Sequence, residues 1–141
     1  MRILPDRTTI KLLRAFRQQA PGGRAKSTRM LEEVISVFPH PTYFGILAEF
    51  YCKEDRDQDL IRLVRQLDQA IARTEVQAAA APGSGKTHLD LGALYLRRGR
   101  VGEARNSLLK ARELYLHKDQ RAAVEELLQV IEDLEQNRAG E

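Results

Sequence analysis

Apolar residues recur along this chain every three or four positions, in long runs separated by short clusters of Pro, Gly or acidic residues. Ile10, Leu12, Leu13 and Phe16 form the first stripe, with Asp6 placed to cap a helix that Pro21-Gly22-Gly23 would stop. Met30, Leu31, Val34, Ile35 and Phe38 predict a second helix from near Ser27, closed by Pro39-His40-Pro41. Thr42 is the expected cap of a third, ending near Lys53. One of its faces is Phe44, Leu47, Ala48 and Tyr51, and the other Ile46 and Phe50. Leu60, Ile61, Leu63, Val64, Leu67 and Ile71 mark the fourth, from Asp57 to Thr74. Leu91, Leu94 and Tyr95 turn inward on the fifth, which begins at Thr87. Gly99 is its natural left-handed stop, with Arg97 and Arg98 in the last turn, where cations suit the helix dipole. Ala104, Leu108, Ala111 and Tyr115 define the sixth, from Val101 to Leu116. Asp119 opens a seventh through Val124, Leu127, Leu128, Ile131 and Leu134. Residues 78–86, rich in Ala, Pro and Gly, read as a flexible loop, and 137–141 as a frayed tail.

Composition agrees with an all-α chain. Ala, Leu, Arg, Glu and Gln dominate, and these residues lose little freedom in a helix. At 141 residues the chain is long enough for one self-sufficient core. The net charge of +3 arises from 23 basic and 20 acidic residues that alternate within segments. That pattern is a solvated helix surface and argues against nucleic acid as a partner. Cys52 is the single cysteine, so it makes no internal disulfide, and its apolar setting predicts a buried small hydrophobe. The N-terminus has no apolar core of a signal peptide, and no apolar run approaches the roughly 20 residues that span a bilayer. The expectation is a cytoplasmic protein without a membrane partner.

Helices joined by short breaks call for a search for repeats. Leu91, Gly92, Tyr95, Gly99, Ala104, Leu108 and Ala111 share one pattern. An apolar-Gly pair is followed by an aromatic, a turn glycine, and small residues where a second helix would pack. This stretch resembles a tetratricopeptide repeat and covers nearly all of one repeat of about 34 residues. The early aromatic of that pattern is missing, and Leu116-His117-Lys118 stands where its closing proline belongs. A worn copy precedes it, with Phe44-Gly45 set against Leu91-Gly92 and Ala48 near Tyr95, an offset of 47 residues. The resemblance implies a right-handed stack of about three antiparallel helical hairpins in one domain over residues 1–136. Its parts are a degenerate hairpin at 6–38, a worn repeat at 42–76, the loop at 78–86, the best repeat at 87–118 and a capping helix at 119–136.

It also implies a function. In that family the first helix of each repeat lines a concave groove, which here places Ile46, Glu49, Phe50, Leu89, Ala93, Leu96 and Arg97 on the partner-binding face. Leu89 and Ala93 stand where the carboxylate-clamp members carry Lys and Asn, so capture of a C-terminal carboxylate is not expected. The expected role is non-catalytic: an adaptor, scaffold or chaperone holding an amphipathic helix or apolar segment of another protein, or a second copy of itself.

No catalytic constellation competes with this. His40, His88 and His117 lie in no metal-ligand spacing and read as surface or capping residues, so no metal and no cofactor is expected. The alternative from another class, a nucleotide-dependent regulator, rests on Ala80–Thr87, AAPGSGKT, a loose phosphate-loop pattern in which Lys86 would reach phosphate oxygens and Thr87 a magnesium ion. Such a loop must follow a buried strand, and Ala72–Gln77 is too polar to be one.

Overall fold

A computed structural model of the chain describes residues 21–37, 40–114 and 116–139. Six helices account for most of them: α1 (Pro21–Val37), α2 (Pro41–Lys53), α3 (Asp57–Ala80), α4 (Gly85–Arg98), α5 (Val101–Glu113) and α6 (Lys118–Ala139). No strand occurs among the described residues. The stripe expected over Ile10, Leu12, Leu13 and Phe16, and the expected core positions Phe38 and Tyr115, lie outside them.

Helix α4 is the centre of the packing. It touches α2, α3, α5 and α6, and its closest partner is α5. The closeness has a local cause. A Cβ placed on Gly92 would lie 2.7 Å from Leu108 Cγ and 3.3 Å from the Ala104 carbonyl oxygen. Only a glycine lets the two backbones approach this far, and Ala104 and Leu108 are themselves fully enclosed. Two polar ties hold α4 against α3. The Tyr95 hydroxyl donates to Glu75 at 2.9 Å, and Arg98 Nε donates to Asp68 at 2.9 Å. Helix α6 lies on α4 and α5 through Val124, Leu127 and Ile131, and Arg105 pairs with Glu135 at its edge.

The helix ends depart from the expected ones, each for a definable reason. His40, not Thr42, caps α2. Its backbone is extended, and its Nδ1 accepts from the Thr42 amide at 3.2 Å. Pro41 then takes the first helical position, where its missing N–H costs nothing. The same rule makes Pro21 a helix start, so α1 begins six residues before Ser27. The alanines after Thr74 extend α3 to Ala80, and Ala78 is buried, so the loop expected over 78–86 is only Ala81–Ser84. Ser84 caps α4 through Oγ, which accepts from the Thr87 amide at 3.3 Å. Helix α5 stops at Glu113 rather than Leu116.

Two burial expectations are corrected as well. Met30 is 57% exposed, because α1 buries the face of Thr28 and Ile35, and Cys52 is exposed one position beyond the buried Tyr51.

A repeat is visible in the two tight connections. Asp55 and Gly99 both have positive φ, at 53° and 85°. The next residue, Arg56 or Arg100, donates its amide to Tyr51 or Tyr95 at 2.8 and 2.9 Å. Each arginine lays its guanidinium over that same tyrosine ring, at 4.8 and 4.7 Å. Each also bonds an acid three residues on, Asp59 or Glu103, at 2.7 and 2.8 Å. The caps His40 and Ser84 stand at the same separation. The offset is therefore 44 residues, Arg56 to Arg100, and not 47. It sets Ala48 against Gly92 and Val64 against Leu108. Helix α3 has 24 residues and α5 has 13. The excess is close to three turns at 3.6 residues per turn, so the buried stripe keeps its phase.

Candidate interaction groove

Helices α3 and α5 flank α4 without meeting: among the described residues no Cα of one comes within 8 Å of the other. The space between them is an open groove of about 650 Å³. Its floor is a single stripe of α4, His88, Leu91 and Tyr95, spaced three and four residues apart as one helix face requires. Ala78 and Ala79 form one wall and Asn106, Ser107 and Leu114 the other. The groove exists because α3 and α5 pack on different sides of α4 and stay apart, so Glu75–Ala79 faces Asn106–Leu114 across the α4 floor.

Electrostatics are set by the rim. Glu75 stands on the α3 side, and Lys110 and Glu113 on the α5 side. Burial pushes the Tyr95 hydroxyl up to about 12, with the bond to Glu75 adding to it, so the phenol remains a donor. His88 is only 7% exposed, and its Nε2 lies 3.0 Å from the Pro82 carbonyl oxygen. A proline oxygen can only accept, so Nε2 carries the proton and pins the Ala81–Ser84 connection to the floor. His88 was expected at the surface or in a cap. Its place three residues before Leu91 and seven before Tyr95 was the available sign that it shares their stripe.

The seven residues expected to line a concave groove lie elsewhere. Leu96 and Arg97 are wholly enclosed, and Ile46 and Leu89 nearly so. Glu49, Phe50 and Ala93 are half-buried. Ile46, Leu89, Leu96 and Arg97 are thus packed against neighbouring helices and present no open apolar face, while Glu49, Phe50 and Ala93 keep part of their surface exposed. Arg97 is engaged in this interior and not free, as a buried guanidinium must be. Phe50 packs beneath the Arg56 guanidinium, 5.5 Å from its ring centre, and Glu49 pairs with Lys53 at 3.8 Å.

The 80–87 segment makes no phosphate cradle. It follows a helix instead of a strand, and the Ser84 hydroxyl oxygen already takes the Thr87 amide. Thr87 Oγ1 donates to that same oxygen at 2.9 Å, and Lys86 pairs with Asp90 at 3.6 Å. Burial raises the Asp90 carboxyl above its ordinary range, and Lys86 draws it partly back.

Among the described residues no group of three His, Cys, Asp or Glu side chains is placed to hold a metal ion, and no helix is long and apolar enough to cross a membrane. No family model matches the chain, and comparison with curated proteins and with solved structures likewise finds no match.

Proposed function

We propose that this chain is a non-catalytic protein-interaction module, an adaptor, scaffold or chaperone of the cytoplasm, that seats a segment of another protein between α3 and α5. The fold we assign to it is a right-handed stack of antiparallel hairpins of the tetratricopeptide kind. In that stack α4 and α5 form the best-kept repeat, α2 and α3 the worn one, and α6 is the solvating cap. Support for the stack comes from the corner repeated at Arg56 and Arg100, and from the polar outward positions of α6, such as Glu125, Glu132 and Asp133.

The observation that carries the functional reading is the groove itself. It is floored by Leu91 and the Tyr95 ring, walled by Ala79 and Leu114, and rimmed by charges. An apolar cleft with a few polar groups at its edge is the usual form of a recognition site. Ala79 is exposed, so Ala79→Trp fills the cleft without disturbing the core. The variant should keep the wild-type helicity and melting temperature and lose proteins that the wild type captures from lysate. Ala122→Trp, exposed on α6 and outside the groove lining, should retain them. An unchanged set of captured proteins with Ala79→Trp would rule out this groove as the working surface.

A further inference from the structure

The identity of the occupant follows from the walls, and it rests on the reading of the groove as a partner site. Both walls and the floor are α-helices, whose backbone groups are paired within each helix except in the end turns, and none offers a strand edge. A segment lying along Leu91 and Tyr95, in mid-helix, finds no ladder of backbone partners there, so one that pairs its own backbone, an α-helix, fits better than an extended peptide. Ala78, Ala79 and Ser107 are small enough for a helix backbone to come close.

Charge selects further. The rim carries the carboxylates of Glu75 and Glu113 against the single ammonium of Lys110. The mouth is locally electronegative although the whole chain carries a net charge of +3. We infer that the groove takes an amphipathic α-helix of a partner protein, apolar along the face it buries and carrying Lys or Arg where it passes Glu75 and Glu113.

The test uses three synthetic peptides of about 15 residues, long enough to sample helix in isolation. Each has leucines at i, i+3, i+4 and i+7. One carries lysines elsewhere, the second glutamates, and the third is the lysine peptide with a central proline. Titration into the full chain, followed by amide chemical shifts, should show saturable binding of the lysine peptide. Its shifts should centre on Ala79, Leu91, Ser107 and Leu114. The proline and glutamate peptides should bind at least about tenfold more weakly, and Glu113→Lys should weaken the lysine peptide about fivefold at low salt. Equal binding of the proline peptide overturns the helical occupant. Equal binding of the glutamate peptide, or no effect of Glu113→Lys, overturns the charge selection. Shifts centred away from the groove, or no binding of any peptide, overturn the inference as a whole. The broader interaction reading is decided separately, by whether Ala79→Trp changes what the chain captures.

Discussion

The α2–α3 and α4–α5 connections share one corner and differ in what meets behind it. Both place an arginine over a tyrosine five residues back and tie it to an acid three residues ahead. Behind the corner, α4 presents Gly92 to Leu108, while the matching position on α2 is Ala48 and that on α3 is Val64. One methyl group on α2 is balanced by a smaller side chain on α3. The corner is thus kept by its polar and aromatic clasp, while the helix separation is adjusted by trading bulk across the interface. The second difference is length. Helix α3 has 24 residues against 13 for α5, and its second half faces α5 across α4 to form the groove.

The largest test of this trade is Leu108→Ala. Leu108 is fully enclosed, so its truncation should cost about 2–5 kcal/mol of unfolding free energy in urea. Val64→Ala, at the matching place, removes less and should cost about half as much. Equal losses would mean that the two interfaces are packed alike and the comparison fails.

Gly92→Ala is the next largest and the more diagnostic. Its new methyl must displace a Leu108 side chain that has no room, and the net loss should be about 1–2 kcal/mol even though alanine is the better helix former. In a Leu108→Ala background the same substitution should turn neutral or stabilising, because the clash is gone and the propensity gain remains. A loss of the same size in both backgrounds would show that Gly92 matters for some reason other than close approach.

At the corner the two residues with positive φ should respond in opposite directions. Gly99→Ala forces a side chain into the left-handed region and should lower stability by about 1–2 kcal/mol. Asp55→Gly relieves the same strain at the other corner and should leave stability within about 1 kcal/mol of wild type, on the favourable side. Thermal melts of the two variants read the difference directly.

Helix existence was legible because periodicity survives any tertiary context, and the stripes at Phe44–Tyr51, Leu60–Ile71 and Val124–Leu134 all face inward. Register between the copies was harder to read. Matching Phe44-Gly45 to Leu91-Gly92 is chemically natural, but the fold aligns turns, and Asp55 does the work of Gly99 without being a glycine. The polar Lys53–Arg56 segment gave no sign of that. The extent of α3 was hidden by Pro82 and Gly83, which end the helix only after the alanines have continued it. The site was the least legible part. Whether Leu96 and Arg97 face a partner or the interior depends on how α2 and α6 settle against α4, and no local pattern encodes that. The groove arises from the separation of α3 and α5 across α4, which no local pattern encodes.

The smallest expected effect concerns the clasp itself. The Tyr95 hydroxyl, raised to about 12, titrates below that in an unfolded chain, near the ordinary tyrosine value of about 10. Between those two values the unfolded chain gives up a proton that the folded one keeps. Stability is therefore constant below the unfolded value and falls as pH rises through this window. Tyr95→Phe removes the proton and the bond to Glu75 together. At neutral pH it should cost about 1 kcal/mol, the usual net worth of one hydrogen bond. Between pH 10 and 12 its stability should decline less steeply than that of the wild type. Tyr51 provides the matching control at the other corner, because burial, and next the charge of Glu32, hold its hydroxyl higher still. Its ionisation belongs at the alkaline end of the same titration, so Tyr51→Phe should flatten the curve to higher pH than Tyr95→Phe does. Identical pH profiles for the two variants would show that the two clasps do not differ in how tightly they hold their tyrosines.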